Sequence, residues 1–87
     1  MSKPSKKVKI MIPKFWELFI RYLNYPSYFV KSGDVLAEHF MRGESDVKEF
    51  IDQCNVYAET MGLSIRFKYI EKLTYRNLLN QLNNEQA

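Results

Sequence analysis

Residues 44–70 limit what this chain can fold into more than any other stretch, because their apolar period changes from helical to extended at a single glycine. Val47, Phe50, Ile51, Cys54, Ala58 and Met61 recur at steps of three and four, which places them on one face of a helix. Ser45 stands ahead of that face as an N-cap whose hydroxyl can accept an amide proton of the first turn. Asp46 and Glu49 set negative charge near the positive end of the helix dipole. Gly62 follows the last apolar position and supplies the left-handed geometry that ends helices. Beyond it Leu63, Ile65, Phe67 and Tyr69 alternate with Ser64, Arg66, Lys68 and Ile70, the period of a half-buried strand. A helix that hands over to a strand makes an α+β domain the expectation.

The rest of the chain fits around this pair. Residues 1–6 combine Pro4 with serines and lysines and lack any apolar period, as in a flexible basic arm. In 7–12, Val8, Ile10 and Ile12 alternate with Lys7, Lys9 and Met11, which predicts a short strand with a basic outer face. Pro13 suits the first turn of a helix over 14–24. That helix has a narrow polar stripe of Lys14, Glu17, Arg21 and Asn24, and seven aromatic residues fall between positions 15 and 29. So broad an apolar surface is buried on more than one side. Tyr25-Pro26-Ser27 breaks it. Ser32 or Asp34 then caps a short helix through about residue 41, with Leu36, His39 and Phe40 facing inward, and Gly43 stops it. Thr74 opens a last helix with Tyr75, Leu78, Leu79 and Leu82 in register, and 84–87 form a frayed tail. Eighty-seven residues support one core. The expected architecture is a single compact domain over 7–83, a two-stranded sheet packed against three to four helices in the order β-α-α-α-β-α.

Little in the chain points to catalysis. His39 is the sole histidine and Cys54 the sole cysteine, fifteen positions apart, whereas a metal site needs several ligands at set spacing. A nucleophile–base pair needs an activated thiol, and Cys54 belongs to the core-facing stripe. Glu44, Asp46, Glu49 and Asp52 fall in or beside the first two turns of a helix, where acids are expected for the dipole alone. The glycines at 33, 43 and 62 stand singly, so no phosphate loop is present. We expect a non-enzymatic protein with no catalytic or metal-binding residues, no cofactor and no small-molecule substrate. One cysteine cannot close an internal disulfide. No apolar run reaches the roughly 20 residues of a membrane helix, and the basic N-terminus lacks a hydrophobic signal region. These features make a cytoplasmic location without a membrane partner the expectation.

Charge is distributed unevenly, +6 over residues 1–33, −5 over 34–59 and +2 over 60–87, which bears on partners rather than on fold. If 7–12 pairs with 63–70, the outer sheet face gathers Lys7 and Lys9 beside Arg66 and Lys68, with Lys6 and Lys3 on the adjacent arm. Like charges side by side on a sheet are destabilising, and a basic two-stranded ribbon fits a DNA major groove or tracks phosphates. The leading expectation is a nucleic-acid-binding protein, with DNA favoured over RNA, acting as a regulatory or accessory factor. Contact with about four to six phosphates gives a log–log salt slope on the order of −4 to −5. The plain account of the same face is a solvated sheet with lysines guarding its edge. Offering Phe67 and Tyr69 to stack on RNA bases would expose Leu63 and Ile65 as well.

The run Lys7-Val-Lys-Ile-Met-Ile-Pro, followed by a helix, a break and a second helix from near Ser32, resembles the ribbon–helix–helix DNA-binding family. That resemblance covers residues 6–42. It implies a homodimer in which the strand pairs with its copy, with Lys7, Lys9 and Met11 facing the groove and the second half of the chain as a C-terminal extension. The competing class is a protein-interaction module, a small inhibitor, adaptor or subunit. It would use the aromatic segment 14–29, through Trp16, Tyr22, Tyr25 and Tyr28, together with the acidic middle of the chain.

Overall fold

A computed structural model describes residues 6–26 and 29–84. Among the described residues there are four helices and no β-strand: α1 (Lys6–Tyr22), α2 (Leu36–His39), α3 (Glu44–Thr60) and α4 (Tyr75–Asn84). The expected α+β arrangement is therefore corrected to an all-α domain. Residues 1–5 of the expected arm and 85–87 of the expected tail lie outside the described residues, while Lys6 opens α1 and Asn84 closes α4.

Residues 7–12 belong to α1, which runs on through Pro13. Six positions do not separate the two periods, and a longer set decides: Val8, Ile12, Phe15, Phe19 and Tyr22 recur at steps of four and three straight across the proline. Met11, Phe15 and Phe19 are 0% exposed, while Lys9 and Pro13 face solvent. A proline inside a helix removes one hydrogen bond, here to the Lys9 carbonyl, and costs ~3 kcal/mol. Burying Met11, Phe15 and Phe19 stabilises by ~1.5–3 kcal/mol each, so the packed face outweighs the break. The ribbon–helix–helix likeness is overturned with the strand, because its groove-facing element is helical and Met11 is in the core.

Helix ends depart from expectation where a side chain finds a different partner. α2 is a single turn whose N-cap, Val35, makes no side-chain cap bond. Asp34 instead accepts the Lys31 backbone N–H at 3.1 Å. α3 starts behind Gly43, at φ +59°, rather than behind Ser45. Asp46, 2% exposed, folds back to accept the Arg42 backbone N–H at 2.8 Å and the Arg42 Nε–H at 2.9 Å. The far end of α3 follows the sequence. Gly62 takes φ +74°, the Leu63 N–H donates to the Ala58 carbonyl at 2.9 Å and the Gly62 N–H to Glu59 at 3.0 Å, the paired bonds of a Schellman ending. Met61, expected on the buried face, is 48% exposed. Thr74 caps α4, its Oγ1 accepting the Asn77 N–H at 3.0 Å.

Residues 63–70 are extended and keep their alternation, with Ile65 and Phe67 buried and Ser64, Arg66, Lys68 and Ile70 exposed. No strand lies beside them among the described residues. Two side-chain amides stand where neighbouring strands would be. Asn55 of α3 donates to the Phe67 carbonyl at 3.0 Å and accepts the Phe67 N–H at 2.6 Å. Gln81 of α4 accepts the Lys68 N–H at 2.8 Å and donates to the Lys68 carbonyl at 3.1 Å. Successive residues of an extended chain point their peptide groups to opposite edges, so α3 holds one edge and α4 the other.

The aromatic helix is the centre of the core. Phe15 meets the edge of Phe67 at 5.4 Å and lies 6.4 Å from Phe50. Phe19 stacks on Phe50 at 4.9 Å, and Tyr22 stacks on Phe40 at 5.7 Å. Isolated bridges from Leu23 to Phe40 and from Val35 to Thr74 tie the connection between α1 and α3 to the ends of α1 and α4. No helix among the described residues is long and apolar enough to cross a membrane.

Candidate protein-interaction site

Among the described residues the cations expected to share a sheet face have no sheet to share. Lys9 is exposed on α1, whereas Arg66 and Lys68 are exposed on 63–70. Lys3 and the side chains of Lys6 and Lys7 lie outside the described residues. Arg66 folds onto its own segment, donating from Nη1 to the Leu63 carbonyl at 3.2 Å and the Ile65 carbonyl at 2.7 Å, with Glu59 4.0 Å from Nη2. The two-stranded ribbon that would enter a groove is missing.

The aromatic residues expected at an interface separate in the same way. Trp16 is half-buried, 5.0 Å from both Phe19 and Tyr75. Tyr22 is buried, and that burial, with the Glu49 carboxylate beside it, pushes its phenol up to about 12. Tyr28 lies outside the described residues. Tyr25 is displayed at the surface.

Tyr25 sits where it does because the Leu23–Phe40 bridge brings the end of α1 against the end of α2. Its hydroxyl donates to Nδ1 of His39, and Nε2 of His39 donates to Asp34 Oδ2 at 2.9 Å. A neutral imidazole protonated on Nε2 satisfies both bonds. The same Asp34 oxygen accepts the Lys31 N–H, and these two donors, the Lys31 amide first, hold the Asp34 carboxyl below its ordinary range. Phe29 stands edge-to-face with Tyr25 at 5.7 Å and 78°, and the Tyr25 and His39 rings meet at 5.5 Å and 75°. Tyr25, Phe29, Lys31, Asp34 and His39 line an open cleft of about 560 Å³, within the size range of ligand sites. The hydroxyl–imidazole–carboxylate chain fixes the Tyr25 ring. It leaves Asp34 Oδ1 and the Lys31 ammonium without a hydrogen-bond partner among the described residues.

Sequence reasoning placed His39 in the core and Asp34 at a helix cap, and did not single out Lys31 or Phe29. Asp34 precedes the one-turn helix that His39 closes, a spacing that could have paired them. The approach of Tyr25, fourteen positions from His39, depends on a long-range bridge that no local pattern carries.

Elsewhere the surface offers less. A groove of about 200 Å³ runs between α1 and α3 past Lys14, Leu18, Arg21, Val56 and Tyr57. Lys14 there already pairs with Glu17 at 3.1 Å and lies 4.5 Å from the centre of the Tyr57 ring. Cys54 is 0% exposed, and burial pushes its thiol well above the usual range, the opposite of a reactive cysteine. Among the described residues no group of three or more His, Cys, Asp or Glu is placed to hold a metal. No family model, no curated protein and no solved structure matches the chain.

Proposed function

We propose that this chain is a non-enzymatic protein-interaction module of the cytoplasm, an adaptor, inhibitor or subunit that holds a peptide segment of its partner in the cleft walled by Tyr25 and Phe29. One observation carries the reading. Among the described residues every other Phe, Tyr or Trp ring is buried or half-buried, yet Tyr25 and Phe29 stay 37% and 53% exposed, with Tyr25 anchored through His39 to Asp34. Aromatic side chains dominate the energetics of interfaces, and a ring already held in place loses little freedom when a partner arrives. A buried, unpaired Cys54 suits a reducing compartment.

The test is selection of a random dodecapeptide library on the intact chain, with the Tyr25→Ala/Phe29→Ala variant as counter-selection and fluorescence anisotropy as readout. Loss of a two-residue aromatic anchor predicts a drop of about thirtyfold in affinity, ~2 kcal/mol. A library in which no peptide distinguishes the two proteins overturns the reading. Gel shifts on DNA and RNA at two salt concentrations separate it from nucleic-acid binding. A salt-sensitive shift abolished by Lys9→Glu with Arg66→Glu would replace it.

A further inference from the structure

We infer that the residue this cleft selects is an arginine of the partner; the inference rests on the interaction reading above and names its chemistry. The cleft holds one negative and one positive group, and they differ in mobility. Asp34 is fixed by two hydrogen bonds, at 2.9 Å from His39 and 3.1 Å from the Lys31 amide, both at Oδ2, and among the described residues Oδ1 has no hydrogen-bond partner. Lys31 is exposed, and its ammonium forms no ion pair among the described residues. A long flexible lysine stem can swing out of a ligand's way, whereas the carboxylate cannot. An incoming cation therefore meets a preorganised anion, and an incoming anion meets a charge it is unable to displace.

The rings point to the same ligand. The Tyr25 ring stands at 78° to Phe29 and 75° to His39, and all three rings line the cleft together with Asp34. Aromatic faces attract organic cations, and a guanidinium is the cation that stacks on them with the least loss of hydration. It also carries enough N–H groups to donate to Asp34 Oδ1 while its plane lies on a ring.

The experiment is an amide-shift titration of the isotope-labelled full chain with N-acetyl-arginine methylamide, beside the lysine, citrulline and glutamate derivatives. The arginine derivative is expected to bind saturably, with shifts centred on Tyr25, Phe29, Asp34 and His39. Citrulline, which has the same shape without the charge, should bind about tenfold more weakly, and lysine should fall between them. Asp34→Asn, which retains an acceptor for both local donors, should weaken arginine about tenfold. Lys31→Ala should tighten it severalfold by removing the competing charge. Equal or tighter binding of glutamate or citrulline, or weaker arginine binding by Lys31→Ala, overturns the inference. If library peptides depend on Tyr25 and Phe29 but hold no arginine, the assignment of arginine fails and the interaction module stands. If no peptide depends on those rings, both fail together.

Discussion

Residues 7–12 and 63–70 both alternate apolar and polar side chains, yet the first lies inside α1 and the second runs extended between α3 and α4. The difference lies in what flanks them. After 7–12 the helical period continues through Phe15, Phe19 and Tyr22, so the packed face of α1 draws the earlier residues into the same helix. Pro13 alone is no stop when apolar positions in register stand on both sides of it. Residues 63–70 are closed off at both ends, by the Schellman turn at Gly62 and by the turn that carries Lys72 at φ +59° ahead of the Thr74 cap. Alternation becomes extended chain only where neighbouring signals isolate it, and it becomes a sheet only if a second isolated segment is there to pair with.

The two regions meet at Phe15 and Phe67, 5.4 Å apart, and that contact offers the largest effect. Phe15→Ala and Phe67→Ala should each destabilise by ~3–5 kcal/mol in urea denaturation. The double variant should lose less than the sum by ~1 kcal/mol, because each single change already removes the shared contact. Strict additivity would mean that the helix and the extended segment are stabilised independently. Pro13→Ala follows in size. In a helix interior it should raise stability by up to ~3 kcal/mol and restore a bond to the Lys9 carbonyl. Were 7–12 a strand and Pro13 the first residue of a helix, the same change would be neutral or slightly destabilising, so the sign of the effect decides between the two.

Legibility divides along the same line. The α3 face from Val47 to Ala58, the Gly62 ending, the Thr74 cap and the inward residues of 63–70 were readable because each is local, a period or a cap within a few positions. The helical state of 7–12 was not, since six residues fit both periods and Pro13 reads equally as the first turn of a helix that begins after them. The partner of 63–70 was not readable either, because Asn55 and Gln81 are polar residues in helices and nothing near them marks their target. The cleft was half visible. Tyr25 stood out as an aromatic residue in excess of the core, but its link to His39 and Asp34 is a product of the fold.

Asn55 and Gln81 separate the two edges of the extended segment. Asn55→Leu leaves both peptide groups of buried Phe67 unpaired and should cost ~1–3 kcal/mol. Gln81→Leu does the same at Lys68, which is exposed, so water replaces the amide and the cost should stay below ~1 kcal/mol. Equal losses would show that α4 shields its edge of the segment as completely as α3 does.

The smallest effect contrasts a tyrosine from each region. Tyr22 at the end of α1 and Tyr69 near the end of 63–70 are both pushed up to about 12, Tyr22 chiefly by burial and Tyr69 chiefly by its hydrogen bond to Glu44. A phenol whose folded pKa lies above its unfolded value of about 10 gives stability that is complete below pH ~10 and is lost as pH rises through ~12. The chain should therefore lose thermal stability across that window. Glu44→Gln leaves an acceptor for the hydroxyl but removes the charge, so it should return Tyr69 towards ~10 and leave Tyr22 where it is. Burial raises the Tyr75 phenol as well, so in tyrosinate absorbance the step that moves to lower pH should be the one that Tyr69→Phe removes, while the step that Tyr22→Phe removes should stay. If both move, the end of the helix and the end of the extended segment share one electrostatic environment, and the contrast drawn between them fails at that point.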